Sequence, residues 1–533
     1  MYGLVTTWPS SAAWYFGLQL LSSGERLQLH TTALVVFCFF FLLVTLAGFW
    51  AARWRRPKMG MASLEEWGLA GRSFGTWVTW FLIGGDLYTA YTVIAVPALL
   101  YGSGAMGFFA VPYAVIAYPY MMLVMPRLWT ICHRHGYITF ADFVGGRYGN
   151  RWLTIAIALT GVLALMPYIA LQLVGIRVVI GAMGVTGEWP LAAAFVILAA
   201  YTYSSGLRAP AVIAIVKDVM LYVMVLVALI VIPLKLGGYA RVFELANQAL
   251  ATHHPAATIY LRQGQFLGYS TLAIGSAVAL MLYPHTATAV LSAKTANVVR
   301  RNAAMLPAYS FLLGLVALLG YLALAAGVVA KSPNDAVPLL FLKMFPEWFG
   351  GFCLAAIAIG ALVPAAIMSI AASNLFTRNL YGALVKKKML PEEESRMAKV
   401  VSLFVKFGAL LFVLKLPATY AIEMQLLGGI WMAQLFPAVI VGAFTRWLNP
   451  WALLVGWMAG MASGTGMAVA LGLKGSVYPL HVWQFLGGGT YAMYAAVPAL
   501  GLNLVVAVAL TVVFRAVGVG AGSDVTDAAA YVG

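Results

Sequence analysis

The chain has 533 residues, of which 63% are hydrophobic and 9% charged. That balance excludes a soluble globular domain, and apolar runs of about 20 residues recurring from end to end indicate a polytopic helical membrane protein. The net charge of +16 would suit a nucleic-acid partner, but the basic residues sit in short clusters between apolar spans, so no nucleic acid is expected.

Residues 1–31 lack a charged start followed by an apolar core and a cleavage site, and read as an N-terminal extension rather than a signal peptide. The first clear span, 32–52, runs straight into Arg53, Arg55, Arg56 and Lys58. That cluster belongs inside and places the N-terminus outside. Spans 2 to 6 follow at roughly 76–101, 105–126, 152–183, 189–207 and 210–236. Spans 7 to 11 follow at 265–286, 305–330, 348–373, 398–415 and 419–444, and spans 12 and 13 at 450–472 and 491–515. The positive loops then alternate correctly for N-outside, C-inside. The outer connection 237–264 has room for short helices, the stretch Lys386 to Glu394 reads as a solvated inner loop, and 516–533 is a cytoplasmic tail. Cys38, Cys132 and Cys353 are odd in number and widely spaced, which provides neither a disulfide framework nor a metal site.

Span 2, TWVTWFLIGGDLYTAYTVIAVPALLY, carries Gly84-Gly85-Asp86 near its middle. A carboxylate between lipid-depth glycines is costly unless paired or wet, and unwound backbone survives there only around a cavity. The spacing therefore predicts a broken helix lining a site, interrupted at Gly84-Gly85-Asp86. Spans 2–6 (76–236) and 7–11 (265–444) form two groups of five, so the second enters from the opposite side. Spans 1 (32–52), 12 and 13 (450–515) flank them. Inverted repeats of this kind place the site at the midplane, between their first helices. Span 7 carries Gly268, Gly275, Tyr269, Ser270 and Thr271, and ends on Tyr283-Pro284-His285.

Several motifs carry a family likeness. Trp67 to Gly75, WGLAGRSFG, resembles the signature preceding the broken helix in the sodium:solute symporter family. ITFADF at 138–143, RYG at 147–149, YSSGLRA at 203–209 and NLFTRNLY at 374–381 agree with it. GGDLYTAYTVIAVPALLYG, ALQLVG, VKD and LLGGIW resemble the bacterial monocarboxylate permease branch. The resemblance implies an all-α, LeuT-type five-plus-five inverted-repeat transporter of about 13 helices in the bacterial inner membrane, importing lactate, pyruvate, acetate, propionate or alanine. The functional unit expected is a monomer, and no cofactor is implied.

In the family the coupling sodium sits between spans 2 and 9. Carried over, its main-chain ligands fall on Gly84, Leu87 and Gly360, and its hydroxyl pair on Val363 and Pro364, which offer no side-chain oxygen. Span 6 has Lys217 before Asp218, where the family has an uncharged polar residue. A buried lysine titrates readily. The expectation is that Lys217, balanced by Asp218 or Asp86, replaces sodium and couples transport to protons; sodium coupling through other oxygens is the alternative, and a membrane solute sensor a more distant one.

Each candidate has a structural alternative. Asp86 is a site residue or an internal ion pair, and Lys217–Asp218 a coupling pair or one that snorkels inward. Arg177 forks onto a substrate carboxylate or snorkels to the outer interface. Gln172 lies deeper and suits a substrate hydrogen bond. Tyr88, Thr89, Tyr269 and Ser270 are neutral donors for substrate or for neighbouring helices. Trp431 and Gln434 on span 11 line the site or pack. His285 reads as a capping or interface residue. There is no nucleophile–base pair, metal cluster or phosphate loop, so an enzyme is not expected.

Overall fold

The structure is a computed structural model. It describes residues 29–531 apart from 52, 55–62, 386–388, 416–420 and 482–487. Most of the N-terminal extension, together with Arg55, Arg56, Lys58 and part of the Lys386–Glu394 loop, lies outside the described residues.

Among the described residues, ten helices are long and apolar enough to cross a membrane, or eleven if the pair Gln425–Ala433 and Pro437–Phe444, bent by 44°, is one span. Each of the thirteen expected segments carries helix; the counts differ because some segments are short or fused. Span 5, Trp189–Ser205, has 17 residues. The outer half of span 2 runs on into span 3 as a 44-residue helical stretch, Tyr91–Arg134. Gly104, at φ +64°, makes that outer turn, and a Cβ there would meet the Thr258 carbonyl at 2.2 Å. Only glycine fits both demands.

Span 9, Glu347–Leu375, is the axis of the molecule. Its apolar stretch is wholly buried inside the protein, whereas span 1, Thr31–Trp50, is mostly exposed on the outside of the bundle. A helix apolar all round is covered either by other helices, as span 9 is, or by lipid, as span 1 is. The outer connections hold a helix, Tyr239–His253, and an antiparallel hairpin pairing Val477–His481 with Thr490–Tyr494.

The resemblance motifs meet on the inner face. Thr139 and Asp142 form a capping box for the helix Phe140–Tyr148. Asn379 accepts from the Thr139 hydroxyl at 2.7 Å and donates to Asp142 at 2.6 Å. The backbone of Leu207 donates to the Trp67 carbonyl, and Phe74 bridges to Ala293 beyond span 7. These motifs thus hold the inner ends of spans 2, 4, 6, 7 and 9 in register.

Candidate functional site

Span 2 breaks one turn later than its glycines suggest. Thr76–Leu87 is regular helix, Tyr88 leaves it at φ −88°, ψ 84°, and the chain resumes as a π-helical turn at Tyr91–Ala95. The glycines serve close approach instead. A Cβ on Gly84 would lie 2.4 Å from the Tyr309 ring, and one on Gly85 would lie 3.2 Å from Lys217 Nζ and from an Asp218 oxygen. The expectation of a break at Gly84-Gly85-Asp86 is corrected accordingly.

Backbone groups freed at membrane depth need partners, and side chains supply them here. Gln172 of span 4 accepts from Ala90 N at 2.9 Å and donates to the Tyr168 carbonyl at 3.3 Å. Thr89 accepts from Tyr91 N at 3.0 Å, and the Thr92 hydroxyl donates to the Leu87 carbonyl. The Tyr88 hydroxyl donates to the Tyr309 carbonyl. Gln172 and Thr89 are therefore committed to holding the break, a job that motif reading did not assign them.

Lys217 reaches the same break from span 6. Its Nζ donates to the Gly85 carbonyl and, at 3.1 Å, to the Tyr88 carbonyl, and lies 3.0 Å from Asp218 Oδ1. Tyr309 donates to the other Asp218 oxygen at 2.6 Å. Both charged side chains are fully buried. Of the three donors of the ammonium, two go to the Gly85 and Tyr88 carbonyls, and the Asp218 carboxylate balances its charge. Of the carbonyls expected at the ion position, that of Gly84 accepts from Tyr88 N and that of Leu87 from the Thr92 hydroxyl, while Lys217 takes the carbonyls one residue further on. On span 9, Gly360, Val363 and Pro364 are buried, and the Gly360 face meets Leu221.

Span 7 breaks at Tyr283, held extended at φ −58°, ψ 136°. The following proline disfavours helix at that residue. The second half-helix, Pro284–Leu291, then brings His285 Nε2 to 3.6 Å from Asp86 Oδ2. Both side chains are buried, and the rings of Tyr283 and Tyr168 flank the imidazole. Asp86 Oδ1 and His285 Nδ1 have no hydrogen-bond partner among the described residues. His285 is the residue that sequence reading undervalued; its place directly after the Tyr-Pro break was the available signal.

Other candidates lie elsewhere. Tyr269 donates to the Phe108 carbonyl at 3.3 Å, and Ser270 is exposed. Both sit about 20 Å along span 7 from its break, at 1.5 Å per residue. Arg177 pairs with Glu188 and donates to the Val413 carbonyl at the end of span 10, with its side chain 38% exposed. Trp431 donates to Thr465 at 3.0 Å, while Gln434 accepts from Asn503 at 3.2 Å. Those partners belong to spans 12 and 13, so the pair joins the flanking helices to span 11 and does not face the breaks.

A vestibule of about 670 Å³ opens between the outer end of span 2, at Leu99 to Ser103, the connection His253–Ala257 and the start of span 11 at Glu423. On the inner side, a cavity of only about 20 Å³ borders Pro284, Ala287 and Thr288. Among the described residues, no group of three or more His, Cys, Asp or Glu is placed to hold a metal ion.

Residues 67–461 match the sodium:solute symporter family. A monocarboxylate transport permease protein of Rhizobium johnstonii is 52% identical over 489 residues, covering 92% of this chain and 98% of that one. An uncharacterized symporter of Bacillus subtilis is 35% identical over 82% of this chain and 88% of its own. A solved sialic acid symporter, described as Na+-coupled and in a substrate-bound outward-open state, superposes with a TM-score of 0.70 at 14% identity, over 91% of this chain and 98% of that one. The fold is therefore of the LeuT type. With its family matched over most of its length and two broken helices meeting at its centre, the chain belongs to the sodium:solute symporter family, as a multi-pass membrane transporter and not an enzyme.

Proposed function

We propose that this symporter imports short monocarboxylates by alternating access around the two breaks, with Lys217 standing where a coupling sodium would sit. The observation that carries this reading is the Lys217 ammonium on the Gly85 and Tyr88 carbonyls, beside Asp218, with Val363 and Pro364 of span 9 offering no side-chain oxygen. A lysine buried in this way exchanges its proton at modest cost when Asp218 shares the change. The pair then supplies the proton step that replaces sodium binding. The Rhizobium relative, named a monocarboxylate permease, supports the substrate class.

Asp86 and His285 form the solute end of this reading, because each has one unpaired polar atom between the half-helices. The N-terminus of Pro284–Leu291 adds a partial positive charge suited to a carboxylate. One chain supplies all of these groups, so the monomer is the functional unit. The test is uptake of L-lactate into proteoliposomes under an inward proton gradient without sodium. Accumulation that collapses with a protonophore supports the reading. Strict sodium dependence with no response to the gradient overturns it in favour of sodium coupling, which the family match favours.

A further inference from the structure

The segment 516–531 folds back along the inner face and fills a seam between three parts of the transporter. Asp524 Oδ2 takes Arg147 at 2.8 Å and Arg446 at 3.1 Å. Arg147 belongs to the helix leading into span 4, and Arg446 follows span 11. Asp527 pairs with Arg134 at the end of span 3 at 3.1 Å, and its backbone N–H donates to His135 Nε2 at 3.0 Å. Val525 N donates to the Gly146 carbonyl at 2.9 Å. The Tyr531 ring lies under the guanidiniums of Arg147, Arg127 and Arg446, at 4.6, 5.6 and 5.9 Å. Asn449, opening span 12, donates to the carbonyls of Val519 and Gly520.

These contacts are specific rather than adhesive. Four arginines from three places in the sequence converge on two aspartates and one tyrosine. The approach is close enough that a Cβ on Gly149 would strike Ser523 at 2.2 Å. Arg147 is 3% exposed, so its pair with Asp524 is sheltered from salt, whereas Arg134 and Asp527 are about half exposed and screened. The two halves therefore differ in how readily they release.

We propose that this segment is an inner-face latch: by tying span 3 and the entry to span 4 to the exit of span 11, it holds the inward pathway shut until the Asp527 and Asp524 pairs part. Alternating access rocks one group of helices against the other, and that movement must open this seam. The inference rests on alternating access alone and is independent of solute and coupling ion.

Hydrogen exchange of the full-length protein in nanodiscs, without solute, tests it. Asp524→Asn with Asp527→Asn should speed exchange in segments 127–148 and 439–446 by about ten-fold or more. It should also slow exchange at the outer vestibule, in 253–257 and 423–426, because opening inside closes outside. Asp527→Arg alone should show the Asp527 half of the effect, and Arg134→Asp with Asp527→Arg should restore the wild-type pattern. Should the double variant fail to fold, wild-type protein taken from about 0.05 M to about 0.5 M salt should show the Asp527 half of the effect. Unchanged exchange, or faster inner exchange with no added protection outside, overturns the latch.

Discussion

His285 Nε2 faces Asp86 Oδ2 at 3.6 Å across the seam between two broken helices, and each side chain keeps a buried polar atom, Asp86 Oδ1 and His285 Nδ1, without a hydrogen-bond partner among the described residues. A buried acceptor without a donor costs about 1–3 kcal/mol, so Asp86 Oδ1 favours a solute that brings one. The hydroxyl of lactate and the ammonium of alanine each do so; propionate does not. The wild type should therefore prefer L-lactate or L-alanine to propionate by about ten-fold or more in competition uptake. Asp86→Leu should erase that preference; equal affinity for all three solutes in the wild type would contradict it.

Removing Lys217 leaves Asp218 buried with Tyr309 as its remaining partner. Lys217→Met should cost about 3–5 kcal/mol of stability, read as a fall in Tm in detergent. Adding Asp218→Leu should recover most of that loss while uptake stays absent. Full uptake by Lys217→Met would remove the lysine from the coupling step.

Gly84 is a contact residue, so its replacement should fail for steric reasons. Gly84→Ala puts a methyl 2.4 Å from the Tyr309 ring, and overpacking of this kind costs about 1–3 kcal/mol. Gly181→Ala, at a helical glycine with nothing within 4 Å, is the control and should be neutral or slightly stabilising. Comparable Tm values for the two variants would refute the close-approach argument.

Gln172→Leu should strand the Ala90 N–H at membrane depth, at a cost of about 1–3 kcal/mol. Its signature is local: hydrogen exchange at 88–92 should accelerate, while span 9 keeps its protection. Uniform loosening of the bundle would instead make Gln172 a general packing residue.

Arg177→Gln should leave L-lactate uptake within about two-fold of wild type, since half-exposed ion pairs contribute about 0–1 kcal/mol. A loss of solute affinity of ten-fold or more would return Arg177 to the site.

The bundle architecture was legible because span length, loop charge and two helix breaks are local properties, and Tyr283-Pro284 marks its own interruption. The break in span 2 was legible only as a region. Glycine pairs weaken a helix, but the position where backbone comes free is set by Gln172, Thr89 and Lys217, which are remote or unremarkable in the sequence. The orientation of Trp431 and Gln434 was equally hidden. Span 11 is apolar on most faces, so periodicity does not tell the side facing span 7 from the side facing span 13. The tail contacts join residues nearly 400 positions apart, and no motif spacing announces them.

A coupling group that is covalently part of the carrier never leaves it; only its proton does. Sodium carried with a monocarboxylate makes the loaded step electrically neutral and consumes the sodium gradient. Lys217 instead stays with the protein and gives up only its proton, so the charge delivered per cycle is that of the solute and of the proton released with it. A monocarboxylate entering alone would move one negative charge against an inside-negative potential, at about 2.3 kcal/mol per 100 mV. One proton per solute cancels that cost. Anchoring the ammonium to the Gly85 and Tyr88 carbonyls thus makes the voltage dependence of uptake a direct count of the protons carried.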